Sequence, residues 1–143
     1  MEILTHSLLC LLGLVLLKAI YELVRSKRVL IVEDSQDEQM LLRMNLRIPN
    51  TVFDYVESLE GIKFNQLWIN TPDLVIVDYH LGGTAKGSVL VEHCENNGIP
   101  VKLITGDERE ILGVSEDKII RKEPGPRFYQ KLSDWACQEL KIA

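Results

Sequence analysis

The sequence predicts an α/β protein: an open parallel sheet with helices on both faces, preceded by a separate hydrophobic helix. Three observations predict it. From Arg28 onward, short β-branched apolar runs alternate with capped or amphipathic segments, which calls for parallel strands joined by right-handed crossovers. Runs such as Leu74 to Val77 are apolar without a break, as strands covered on both faces are. The opening residues are a different material, almost wholly apolar. The chain therefore divides into a hydrophobic helix, 1–26, and an α/β domain, 27–143.

Residues Ile3 to Val24 read "ILTHSLLCLLGLVLLKAIYELV", with Lys18 and Glu22 as the only Lys, Arg, Asp or Glu. As a helix, that stretch reaches about 33 Å, enough to cross the hydrocarbon core of a bilayer. Lys18 lies toward the C-terminal end, where its stem can snorkel, and Glu22 is four residues on, where the two can pair. No basic region precedes the apolar run and no A-x-A-like cleavage site follows it, so a signal peptide does not fit. Arg25, Lys27 and Arg28 follow the segment while only Glu2 precedes it. The positive-inside rule then places the α/β domain in the cytoplasm. The other reading is a helix buried against a partner or a second copy of itself.

"VLIVED" is the first strand, stopping at Glu33 and Asp34. Ser35 and Glu38 form a capping-box pattern, and Met40, Leu41, Met44 and Ile48 follow at roughly helical spacing until Pro49 and Asn50 end the helix. "TVFDYVES" is a second strand, Leu59 to Trp68 a second helix, and "LVIVD" the third strand. Ser88 to Asn97 is a helix and "VKLITG" a fourth strand. "DEREILGVSED" holds at most one or two helical turns, "KIIRK" is a fifth strand, and the last segment is amphipathic, with Phe128, Leu132, Trp135 and Leu140 suited to one buried face.

Composition narrows the function. The formal charge is −5, from 16 Lys+Arg and 21 Asp+Glu, with no long basic run, so a nucleic-acid surface is not expected. Cys10, Cys94 and Cys137, and His6, His80 and His93, have no metal-ligand spacing. The three cysteines read as free thiols in a reducing compartment. Trp68 and Trp135 read as packing residues.

In an open parallel sheet, ligands bind beyond the carboxyl ends of the strands. The first strand ends in Glu33 and Asp34, the third in Asp78, the fourth in Thr105 and the fifth in Lys122. Three carboxylates brought together repel, and Lys122 or a hard divalent cation such as Mg²⁺ would offset that. With the cation present, Asp78 can attack phosphorus to form an aspartyl phosphate. Lys122 would neutralise charge on the transferred group and Thr105 would hydrogen-bond a phosphoryl oxygen.

"VLIVEDS", "LVIVDYHL", "LITG" and "IIRK" together resemble the receiver domain of bacterial two-component response regulators. The resemblance covers residues 28–143 and rests on Glu33, Asp34, Asp78, Thr105 and Lys122 in that order. It implies a flavodoxin-like five-stranded sheet of order 2-1-3-4-5. It implies Asp78 as acceptor of a phosphoryl group from a histidine kinase or phosphotransfer protein, with signalling through protein contacts. Glu33, Asp34, Asp78 and the backbone carbonyl of His80 would hold Mg²⁺, and Gly87 matches a glycine at the start of the family's third helix. With the anchor, this implies a single-pass inner-membrane protein with a cytoplasmic receiver and no enzymatic output of its own.

The chain also departs from the family pattern. Glu123 stands between Lys122 and Pro124, where the family has proline next, often across a cis bond. Ile119 occupies the place of an aromatic residue that reports phosphorylation, and the stretch after Gly106 is too short for the usual fourth helix. These departures keep open a second reading, a receiver-like interaction module that is never phosphorylated and assembles through its hydrophobic helix. A phosphatase of the aspartate-nucleophile class would need a second Asp two residues beyond Asp78, where His80 stands.

Overall fold

A computed structural model describes residues 11–21, 25–60, 62, 71–82, 86–109 and 111–142. The α/β part contains five strands: β1 (Lys27–Val32), β2 (Thr51–Val56), β3 (Leu74–Asp78), β4 (Val101–Thr105) and β5 (Ile119–Arg121). They form one sheet in the order β2-β1-β3-β4-β5, with every pair parallel. The expected flavodoxin-like arrangement is therefore the observed one.

Among the described residues, four helices accompany the sheet: α1 (residues 11–21), α2 (Gln36–Asn45), α3 (Gly87–Asn96) and α4 (Pro126–Leu140), with a short 3₁₀ turn at Glu116–Lys118. Period-two alternation divides the strand residues between two cores. Leu30, Val32, Val75, Val77, Val101 and Leu103 pack under α3. Val29, Ile31, Leu74, Ile76 and Ile104 pack under α2 and α4. Burial on both faces is why the central strands read as unbroken apolar runs. β3, at the centre of the sheet, is buried along its whole length.

α2 corrects the expected face and end of the first helix. Met40, Leu41 and Met44 are exposed, whereas Gln39 and Leu42 face inward. The helix stops at Asn45, and Leu46 and Ile48 are buried in the non-helical turn toward β2. Burial of these two apolar side chains outweighs another turn of helix. At the other end, Ser35 Oγ accepts from Glu38 N–H at 3.3 Å, but Ser35 N–H donates to Glu33 Oε1 at 3.2 Å. The cap is one half of the expected box.

α3 begins at Gly87, one residue before the expected start. Among the described residues between β4 and the 3₁₀ turn there is no α-helix. Ile111 and Val114 are buried there, and Arg121 holds the segment by donating to the Asp107 and Arg109 carbonyls and to Glu116. In α4, Phe128, Leu132 and Leu140 are buried as expected. Trp135 is only half-buried; its ring takes the Lys102 ammonium at 5.3 Å, while Ser133 and Ala136 occupy the inner face.

The expected helix from Leu59 to Trp68 lies outside the described residues except for Leu59, Glu60 and Ile62, and Leu59 and Ile62 are buried. The expected span from Ile3 to Val24 is likewise described only at residues 11–21. Among the described residues, no helix is long and apolar enough to cross a membrane.

Candidate functional site

Parallel strands bring their carboxyl ends to one pole, and the polar residues gather there. Glu33 follows β1 and is buried, and Asp78 closes β3 with 4% exposure. Asp34 is exposed at the rim. One carboxylate oxygen from each of Glu33, Asp34 and Asp78 lies within 4.8 Å of the others.

Lys122, just past β5, points its ammonium into this cluster. Nζ lies 2.9 Å from Asp78 Oδ1, 3.1 Å from Glu33 Oε2 and 3.9 Å from Glu38 Oε2. Its backbone N–H donates to the Thr105 carbonyl at 2.7 Å, which anchors the residue although Glu123 follows it directly. The chain is trans throughout the described residues.

Burial sets the acid–base character of this group. It pushes the Glu33 carboxyl above the usual carboxylate range, and the Asp78 charge adds to that while Lys122 opposes it. Burial acts to lower the Lys122 ammonium, but the hydrogen bond and charge of Asp78, with the charge of Glu33, outweigh it and raise the group. One ammonium thus faces two buried carboxylates and a third at the rim. An all-oxygen set with surplus negative charge fits a hard divalent cation, and the cluster is compatible with such a site.

Asp78 is held from several directions. His80 N–H donates to Oδ2 at 2.7 Å, so the His80 backbone helps to orient the acid. The His80 imidazole is half-exposed, with Nε2 3.8 Å from Asp107 Oδ2. Tyr79 N–H donates to the Ile104 carbonyl at 3.0 Å, continuing the pairing of β3 with β4. A Cβ at Gly87 would stand 2.1 Å from the Asp78 carbonyl oxygen. Only glycine allows α3 to start this close to the acid.

Thr105 is fully buried, and its Oγ1 accepts from Asp107 N–H at 3.0 Å. The Asp107 carboxylate is held well below the usual carboxylate range by hydrogen bonds from Arg109. Glu38, Gln39, Gly82 and Asp107 were not singled out as site residues in the sequence. Gln39 donates its amide to the Glu33 carbonyl at 2.6 Å, and Gly82 sits where a Cβ would meet Asp34 Oδ2 at 2.9 Å. Glu38 had a signal, its place in the capping pattern, but that pattern pointed to Ser35 rather than Lys122.

The chain is similar in structure to several solved receivers. The response regulator PhyR from Brucella abortus aligns with a TM-score of 0.61 at 22% identity, over 91% of this chain and 55% of that one. A protein described as a response regulator from Chloroflexus aurantiacus aligns with a TM-score of 0.65 at 24% identity, over 82% of this chain and 99% of the other. A response regulator receiver domain protein from Bacillus halodurans aligns at 0.58 and 18%, over 78% and 97%. This chain thus spans little more than half the length of the Brucella protein. No protein-family profile and no curated protein matches the sequence. At these identities the likeness establishes the fold, which is that of response regulator receiver domains.

Proposed function

We propose that this chain is a membrane-tethered receiver that takes a phosphoryl group on Asp78 and signals through protein contacts. The observation that carries the reading is the placement of the buried Asp78 carboxylate, 2.9 Å from the Lys122 ammonium, within a three-acid cluster at the sheet's carboxyl pole. A histidine kinase or phosphotransfer protein would be the donor. An Asp78 oxygen attacks the phosphorus of a phosphohistidine, the P–N bond breaks as the P–O bond forms, and the imidazole leaves and is reprotonated from solvent.

The chain's own groups divide the work. Glu33, Asp34, Asp78 and the His80 carbonyl would hold Mg²⁺, which when bound supplies positive charge to the phosphoryl oxygens. The His80 N–H and Lys122 orient the nucleophile. Lys122 then follows the charge that moves onto the phosphoryl group, and the Thr105 hydroxyl is available as a donor to it. In this reading the chain is a phosphoacceptor rather than a turnover enzyme, and binds no nucleic acid.

The tether rests on α1. Its large apolar residues, from Leu11 to Tyr21, are 49–66% exposed on every side of the helix. Apart from Lys18, this helix is apolar on every side, which suits lipid better than a one-sided protein groove. The proposed location is the inner membrane, with the receiver in the cytoplasm.

Beryllofluoride with Mg²⁺ tests the site. Addition should shift the amide resonances of Asp78, Thr105 and Lys122 in the wild type, and Asp78→Asn should abolish the change. An unresponsive wild type would favour the second reading, an interaction module that is never phosphorylated. That reading is favoured by Ile119, buried where the family has an aromatic reporter, and by the absence of an α-helix among the described residues between β4 and β5.

A further inference from the structure

The two poles of the sheet differ in charge and in what they connect to. Strands begin at one pole and end at the other, about 17–20 Å away for five or six residues. The Asp78 cluster occupies the carboxyl pole. The chain leaving α1 enters the opposite pole and is tied down at once. Arg25 N–H donates to the Tyr21 carbonyl at 2.9 Å, the Arg25 guanidinium meets Asp73 Oδ1 at 2.6 Å, and Arg28 N–H donates to Asp73 Oδ2 at 2.8 Å.

Charge follows the same axis. At the carboxyl pole Glu33, Asp34, Asp37, Glu38, Asp78, Asp107 and Glu108 outnumber the cations Lys86, Arg109 and Lys122, in a chain of net charge −5. At the entry pole, Asp73, Asp54 and Glu95 are each paired with a cation, Arg25, Arg28 and Lys118. Asp117 and Glu139 act on Lys102. Among the described residues, Lys27, Arg47 and Lys141 have no carboxylate partner there, and Arg47 and Lys141 are exposed.

We infer that the entry pole, with Lys27, Arg47 and Lys141 beside the emergence of α1, docks on the anionic headgroups of the membrane that holds that helix. The Asp78 pocket then opens away from the bilayer. This rests on the tethered reading above. Anionic lipid attracts the unpaired cations of the entry pole and repels the acid-rich pole, and both effects act within a Debye length of the surface. The bond from Arg25 N–H to the Tyr21 carbonyl keeps the start of the sheet close to α1. A soluble donor protein can then reach Asp78 without displacing the domain from the membrane.

The test uses full-length protein in phosphatidylcholine–phosphatidylglycerol vesicles that carry a nickel-chelating headgroup lipid. Cys10 and Cys137 are replaced by Ser, and buried Cys94 stays. A nitroxide is attached at Thr71→Cys, an exposed site on the entry pole, or at Glu108→Cys, an exposed site on the carboxyl pole. The expected result is nickel relaxation at position 71 at least about threefold that at 108, given a separation of roughly 17 Å or more. Lys27→Glu, Arg47→Glu and Lys141→Glu combined should erase that preference while the protein still sediments with the vesicles. Equal relaxation at both positions in sedimenting protein overturns this inference alone. A preference unchanged in the triple variant also overturns it, because the tether alone would then orient the domain. A chain that stays in the supernatant overturns the tether and this inference with it.

Discussion

The Lys122 ammonium bridges Asp78 and Glu33, 2.9 Å from one carboxylate and 3.1 Å from the other, and so ties the end of β5 to the ends of β3 and β1. Lys122→Met would leave two buried carboxylates facing each other. The expected loss is about 2–3 kcal/mol in urea unfolding without divalent ions, below that of a fully buried pair because Lys122 keeps some exposure to water. The Lys122 group is raised above its usual value. Its stabilisation is therefore complete below about pH 10.5 and lost as pH rises through the folded-state value. The Met variant should lack that alkaline loss.

Divalent cation should act on the same cluster. Burial has already raised Glu33, so charging it costs stability as pH rises through its folded-state value, and bound Mg²⁺ offsets that cost. A tenfold excess of Mg²⁺ over its dissociation constant should stabilise the wild type by about 1.4 kcal/mol. Thermal unfolding with and without EDTA measures this, and Asp78→Asn combined with Glu33→Gln should remove the response. A double variant that still responds would place the cation elsewhere.

Gly87→Ala separates packing from propensity. The new Cβ would gain about 1 kcal/mol as a helix former. It would also collide with the Asp78 carbonyl oxygen at 2.1 Å, a backbone atom that cannot rotate away. A net loss of about 1–2 kcal/mol is expected, with a weaker Mg²⁺ response. Gly82→Ala meets the exposed Asp34 side-chain carboxylate at 2.9 Å, which can rotate away, and should change Mg²⁺ affinity more than stability.

Cys94 reports on the core beneath α3. It is 1% exposed, and burial, with Glu95 nearby, pushes its thiol up to about 12. In protein with Cys10 and Cys137 replaced by Ser, its reaction with a disulfide reagent at pH 8 should follow the rate of unfolding. Its contribution to stability is unchanged below about pH 9 and is lost as pH rises through the folded value. Fast labelling of native protein would contradict the packing described.

α2 shows both the reach of sequence patterning and its limit. Leu42→Ala should cost about 2–5 kcal/mol, whereas Met40→Ala and Met44→Ala should each change stability by less than about 0.5 kcal/mol. The spacing of Met40, Leu41 and Met44 suggested the opposite face. Helical period marks where apolar residues recur, but not which face the sheet takes. Gln39 goes inside because its amide has the Glu33 carbonyl as a partner, a contact between adjacent elements that no local pattern encodes. The helix end was misread for a related reason: Leu46 and Ile48 are buried as the chain turns back toward β2.

The site was more legible than the packing. Strand ends in a parallel sheet must converge, so Glu33, Asp78, Thr105 and Lys122 could be placed together from order alone. The ways Glu38, Asp107 and Gly82 complete the surroundings depend on loop paths and side-chain reach, which strand order does not specify. The α4 pattern puts Trp135 on the buried face, and it does pack against that core, though only partly buried. Its ring reaches the edge of that core, where the Lys102 ammonium lies over it.

The most direct measurement is the intact mass of the protein after incubation with acetyl phosphate, with Mg²⁺ or with EDTA. One added phosphoryl group in Mg²⁺, none in EDTA and none on Asp78→Asn is the predicted result. An unmodified wild type in Mg²⁺, or the same adduct on Asp78→Asn, would contradict the assignment of Asp78 as the acceptor.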